Sequence, residues 1–231
     1  MSAILFGSIG TVVDTSELQR QSFNQAFAQH GLDWQWSRHE YIAMLKGNGG
    51  KKRIERYAQS LGQVVAADAI HHSKSEIFQQ LLQAQSLQPR FGVVNIIKRA
   101  RRENVKLAFV TTTSAQNVEA ILKAMEKDLP ADSFDLVVNR SHVREGKPSE
   151  ACYLLALKQL EQVPEECVAI EDNVGGVQAA KGANLTCVAF PNQNTAHHEF
   201  VTADMLVHDL DFTQVQRLYT HRQSHRISVS V

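Results

Sequence analysis

From Val93 onward, short apolar runs alternate with amphipathic stretches of about ten to fifteen residues, a rhythm that few folds accept. Val93–Arg102 has helical spacing, Lys106–Val110 reads as a strand, and Ala115–Lys127 reads as a helix. Phe134–Asn139 is again strand-like, Glu150–Gln162 helical, Cys167–Ile170 strand, Val174–Gly182 helical, and Leu185–Phe190 strand, with Met205–His208 a short last strand. Strands separated by helices require right-handed crossovers, and so a parallel sheet covered on both faces. The expected fold class is therefore α/β, a doubly wound parallel sheet.

Before Val93 the pattern differs. Ala3–Phe6 is an apolar run followed by Gly-Ser-Ile-Gly and then Thr11, Val12 and Val13, and such glycine-bounded runs read as buried strands. Ser16 to about Gly31 places Leu18, Phe23, Ala26 and Phe27 on one helical stripe, and Arg38–Leu45, Lys52–Leu61 and Ala66–Leu87 also read as helices. The division expected is a core of residues 1–15 and 88–231, a helical insertion of residues 16–87, and a terminal tail at 220–231. That tail carries His221, Arg222, His225 and Arg226.

The chain has 231 residues, of which 43% are hydrophobic, and 24 basic residues balance 24 acidic ones. That composition excludes disorder as the dominant state and leaves no globally cationic surface for nucleic acid. The three cysteines, Cys152, Cys167 and Cys187, lie among apolar neighbours and read as reduced core residues rather than a disulfide or zinc set. No apolar stretch reaches the roughly 20 residues of a membrane span, and the N-terminus lacks a cationic start. The expectation is a cytoplasmic monomer with no nucleic-acid or membrane partner.

In open α/β sheets, ligands gather at the carboxyl ends of the strands. Those ends carry Gly7–Thr11, the hydroxyl cluster Thr111-Thr112-Thr113-Ser114, and the acidic pair Glu171-Asp172, with Gly146-Lys147-Pro148 ahead of a helix. Hydroxyls and helix N-terminal amides hold phosphate oxygens, lysine neutralises them, and carboxylates hold a metal. Singly, Thr113-Ser114 could be an N-cap and Glu171-Asp172 could cap the following helix.

Together these residues resemble the haloacid dehalogenase (HAD) superfamily of phosphatases with a helical cap, from Ala3 to about Asp211. Thr111 and Thr112 stand at the phosphate-binding hydroxyl motif, Lys147 matches the third-motif lysine, and Glu171 and Asp172 match the acidic fourth motif, the metal ligands. GLDWQW (Gly31–Trp36), GGKKRI (Gly49–Ile54) and TTTSAQNVEA (Thr111–Ala120) look like the CbbY-type, β-phosphoglucomutase-like sugar-phosphate phosphatases. By that resemblance Lys51 and Arg53 would meet the distal phosphate of a sugar bisphosphate. Glu17 and Asn117 would also lie at the substrate, a small phosphorylated sugar.

The first motif departs from the family. Its pattern is Asp-x-Asp-Gly-Thr, where the first Asp attacks phosphorus and binds magnesium and the second is general acid and base. Here Gly7 and Ile9 occupy both positions, and Gln19 replaces a histidine. Glycine has nothing to attack with and isoleucine transfers no proton. Strand alternation would turn Ser8 away from the pocket, and Asp14 falls at the entry to the cap. Mg2+ binding should be weakened or absent. Three readings remain open: an impaired, phosphosugar-binding pseudoenzyme, an active or slow magnesium-dependent phosphatase using water held by Asp172 and Thr111, and a non-catalytic interaction protein.

Overall fold

The first strand, β1 (Ala3–Phe6), is buried at every position and lies at the centre of the sheet. In this computed structural model residues 1–229 are described, apart from Ser8, Lys46 and Asn48 and the side chains of Ala131 and residues 221–229. β1 pairs in parallel with β2 (Lys106–Val110) on one side and β4 (Cys167–Glu171) on the other. β3 (Leu136–Val138), β5 (Thr186–Ala189) and β6 (Met205–Leu206) complete the order β3-β2-β1-β4-β5-β6 among the described residues. The doubly wound parallel sheet expected from the alternation is present.

Side chains alternate across the sheet by size. Ile4, Phe6, Leu107, Phe109, Val168, Ile170 and Val188 face one core, with α6 (Val93–Arg102), α7 (Ala115–Ala124) and the start of α10 (Phe212–Val229). Ala3, Leu5, Ala108, Cys167, Ala169, Cys187 and Ala189 face the other, under α8 (Ala151–Leu160) and α9 (Val174–Gly182). Because period-2 alternation puts bulky residues on one face and mostly small ones on the other, α8 and α9 approach the sheet closely. The three cysteines belong to this small-residue face, unpaired and buried. The C-terminal segment expected as a tail continues α10 through Val229.

Thr11 and Val12, expected within a strand, instead lie in a helical turn, α1 (Ile9–Val12), with Val13 just after it. So short a run satisfies either period, and tertiary contacts decide. Here the Arg90 backbone N–H donates to Val12 O (2.8 Å), and the Arg90 guanidinium donates to Gly10 O (2.9 Å), folding the chain back after Gly7. The alternation used for Ser8 therefore does not apply at Ile9, which packs beside the main core, and Ser8 itself lies outside the described residues.

The cap comprises α2 (Ser16–Gln29), α3 (Arg38–Met44), α4 (Gly50–Ser60) and α5 (Ala67–Gln83). Phe23, Phe27, Trp34, Trp36, Tyr41, Ile54 and Ile70 form its own core. The strandless stretch before α3 is held by Asn24. This buried amide donates to Trp36 O (3.0 Å) and accepts from Trp36 N–H (2.9 Å), replacing the missing ladder bonds. Trp36 packs edge-on to Phe27 at 4.6 Å and tilted on Phe23 at 4.9 Å. The end of α5 departs from the cap: Phe78 and Leu82 join the main core. Trp36→Ala should cost about 3–5 kcal/mol of stability, the usual range for a buried aromatic, read as a lower urea midpoint.

Candidate anion-binding site

The ends of the strands are laced together one residue beyond the sheet. Gly7 N–H donates to Ile170 O (2.8 Å), Thr111 N–H to Val138 O (2.9 Å), and Phe190 N–H to Glu171 O (2.6 Å). These bonds bring Gly7, Thr111 and Glu171 to one edge, as the topology requires. Lys147 joins them from the loop before α8. Its buried ammonium donates to Gly7 O, to Val110 O (2.8 Å) and to Glu171 Oε1 (2.6 Å), and lies 4.8 Å from the Tyr153 ring centroid.

Glu171 is fully buried. Its Oε1 also accepts from Tyr153 Oη (2.7 Å), while Oε2 has no hydrogen-bond partner among the described residues. Burial pushes its carboxyl up, Lys147 opposes that, and Asp172 adds to it. The Tyr153 hydroxyl is pushed well above its ordinary range, chiefly by burial and then by Glu171. The space the carboxyl fills is set by two glycines: a β-carbon at position 7 would overlap Tyr153 Oη and the Glu171 carboxyl, and one at Gly176 would overlap the same carboxyl. A side chain at position 7 is thus absent, and the room it would need is taken.

Asp172 has its own hydrogen-bond partners. Its Oδ1 accepts from Asn173 Nδ2 (2.9 Å) and its Oδ2 from Asn192 Nδ2 (2.9 Å). Neither acidic residue caps α9; Asn173 does, accepting from Gly176 N–H at 2.9 Å, as Ser114 caps α7, accepting from Asn117 N–H at 3.3 Å. Thr111 is buried, and Thr111 Oγ1 accepts from Thr113 N–H (3.3 Å), while Thr112 is half-buried near Gly146. Asn117 donates to Thr113 Oγ1 (3.0 Å) and accepts from Gln79 of α5 (2.9 Å), bridging core and cap.

A divalent cation in such a site needs several anionic or carbonyl oxygens free to converge on it. Gly7 supplies no side chain, and the Glu171 carboxyl is turned inward onto Lys147 and Tyr153. Among the described residues, no group of three or more His, Cys, Asp or Glu side chains stands together as a metal set. The residues present do not fit the ion that the resemblance implies.

The cap residues divide. Lys51 is exposed and pairs with Asp68 (2.8 Å) and Glu55 (3.7 Å), and Glu17 pairs with Arg20, whose hydrogen bond holds the Glu17 carboxyl below the usual range. Arg53 donates to Met44 O (3.3 Å) and Gly47 O (3.1 Å) and stacks near Phe23 and Tyr41. The sequence reading missed Lys74, which is buried on α5. Its ammonium donates to Gln19 and lies 4.9 Å from both the Phe23 and Phe78 rings. Helical spacing puts Lys74 on the apolar stripe with Ile70, Ile77 and Phe78, the signal that marks it as buried. Burial, then Arg53, lowers it to about 7; burial, then Lys74 and Arg53, lowers His71 to about 4. Arg90 was also missed. It stacks on Phe190 and donates to Phe190 O (2.8 Å) and Pro191 O (2.7 Å), fastening the cap's exit to the loop after β5.

A parallel α/β core, an inserted helical cap, and a lysine among hydroxyls and carboxylates at the strand ends describe a class of phosphate-handling proteins. The chain belongs to the haloacid dehalogenase-like hydrolases, whose family model matches residues 1–184, and within them to the CbbY proteins. It is 41% identical to protein CbbY of Cereibacter sphaeroides over 90% of this chain and 91% of that one. The crystal structure of Rhodobacter sphaeroides CbbY with phosphate has a TM-score of 0.82 at 40% identity, over 90% of this chain and 94% of that one. A mutant of the same protein was solved with xylulose 1,5-bisphosphate, also at a TM-score of 0.82 with 40% identity and the same coverage of 90% and 94%.

Lys74 makes a pH-dependent contribution with a definite sign. Its folded value near 7 lies below the ordinary 10.5, so between them the unfolded chain binds the extra proton and stability rises with pH. The cost of burying the ammonium is fully present below about pH 7 and is relieved toward about pH 10. Melting temperature measured against pH should rise through this window relative to Lys74→Met, whose advantage over the unmodified chain is largest at the acid end.

Proposed function

We propose that this chain binds a small phosphorylated sugar, a pentulose bisphosphate by its likeness to CbbY, without catalysing phosphoryl transfer. The observation that carries the reading is position 7, where the attacking carboxylate would have to stand. It is glycine, and Tyr153 and Glu171 fill the space of its β-carbon. Ile9 adds the second loss, because its hydrocarbon side chain neither gives nor takes a proton. What remains suits recognition of an anion: the Lys147 ammonium, the Thr111 hydroxyl, Thr112 beside it, and the N-terminus of α7. Arg53, Lys51, Glu17 and Asn117 are the residues we assign to the sugar and its far end. We take the protein to be a cytoplasmic monomer, and its three buried, unpaired cysteines suit a reducing compartment.

The test is phosphate release from xylulose 1,5-bisphosphate together with equilibrium binding of the same compound. The unmodified chain should bind it and release no phosphate, and Lys147→Ala should weaken binding at least about ten-fold, the loss of one charge-assisted contact. Gly7→Asp/Ile9→Asp should regain turnover only if Glu171 and Tyr153 move aside for the new carboxylate. Phosphate release by the unmodified chain that Asp172→Ala abolishes would overturn the reading in favour of water activated at Asp172.

A further inference from the structure

We infer that Glu171 has become the internal counter-ion of Lys147 in place of a metal ligand, so that the site takes its anionic ligand without a divalent cation. The inference rests on the phosphosugar-binding reading and goes beyond it by naming what neutralises the ligand's charge. Three observations lead to it. The Glu171 carboxyl sits in a cradle that exists only because positions 7 and 176 are glycine, since a β-carbon at either would overlap it. Its Oε1 is shared between the Lys147 ammonium (2.6 Å) and the Tyr153 hydroxyl (2.7 Å), both drawn to it from outside β4. Asp172, next in sequence, accepts from the amides of Asn173 and Asn192, while Glu171 accepts from Lys147 and Tyr153, so the two carboxylates have different hydrogen-bond partners.

The chemistry follows from charge balance. A buried ammonium needs a compensating anion. In this chain Glu171 supplies it, with Gly7 O and Val110 O taking the remaining N–H bonds. An incoming phosphate therefore competes with an internal carboxylate for the same ammonium, and a divalent ion meets one carboxylate committed to Lys147 and a second held by two amides where it needs a free set. Removing the charge of Glu171 while keeping its shape should release Lys147 to the ligand.

The experiment uses the full chain and inorganic phosphate as probe. Phosphate affinity is measured by calorimetry in chelator and in excess Mg2+, for the unmodified protein and for Glu171→Gln. Mn2+ binding is followed separately by electron paramagnetic resonance with no phosphate present. The expected results are a phosphate affinity that Mg2+ leaves unchanged, about ten-fold tighter binding in Glu171→Gln, and no Mn2+ site that Asp172→Asn removes. An Asp172-dependent Mn2+ site, phosphate binding that requires Mg2+, or weaker binding in a folded Glu171→Gln would overturn the inference. Should Glu171→Gln fail to fold, the Mn2+ titration and the Mg2+ comparison on the unmodified chain still decide. Absence of phosphate binding in every form overturns the binding reading itself, and the Mn2+ titration, which needs no phosphate, tells that failure from this one.

Discussion

A buried lysine ammonium gathers the carboxyl edge of this sheet into one place. Lys147 reaches from the loop before α8 to the carbonyl that ends β1 at Gly7, to Val110 at the end of β2, and to Glu171 at the end of β4. Desolvating a cation is costly unless its hydrogen bonds and its charge are both met. Meeting them constrains the neighbours: two carbonyls must face inward, one carboxylate must fold under, and the Tyr153 ring must lie beside the ammonium. Removing one partner of such a pair leaves a buried charge, so the edge behaves as a unit.

The cap solves a second charge problem in a different way. Lys74 and Arg53 sit against Phe23, Phe78 and Tyr41, and their hydrogen bonds go to Gln19 and to backbone carbonyls. Ring faces and neutral oxygens stabilise these cations less than a carboxylate would, and the depressed value of Lys74 is the physical consequence. Side-chain links join cap and core, among them Arg38 on α3, which donates to Gln193 (3.2 Å) and Asn194 (3.4 Å) in the loop after β5. Gln79 on α5 donates to Asn117 on α7, and Arg90 at the cap's exit grips α1 and the loop after β5.

The fold was largely legible in the order of residues. Alternating short apolar runs and amphipathic stretches specify a wound parallel sheet, because only crossovers can connect parallel neighbours. β2 and α9 fall where the sequence predicts, each bounded by breaks in the pattern and set in the alternating order of the wound sheet. Thr11–Val13 differ from the strand expected because so short a segment fits either period, and the contacts of Arg90, eighty positions away in the chain, choose the helical turn. Thr111, Lys147 and Glu171, picked out in the sequence by their order along the chain, lie at one edge of the sheet, because strand ends converge whatever the side chains do. Lys74 and Arg90 were not picked out, since a single cation on an apolar stripe or in a linker carries no chemical motif.

The sequence alone puts Gly7 and Ile9 after β1, and neither side chain can attack phosphorus or carry a proton. What fills the space beside Gly7 is decided by tertiary structure. The sequence places Glu171 beside Asp172 as though both served one purpose, yet packing sends them to different partners, Lys147 and Tyr153 for one and Asn173 and Asn192 for the other. The reason is steric and electrostatic together. A missing β-carbon at Gly7 opens room beside a buried ammonium, and the nearest flexible carboxylate fills it.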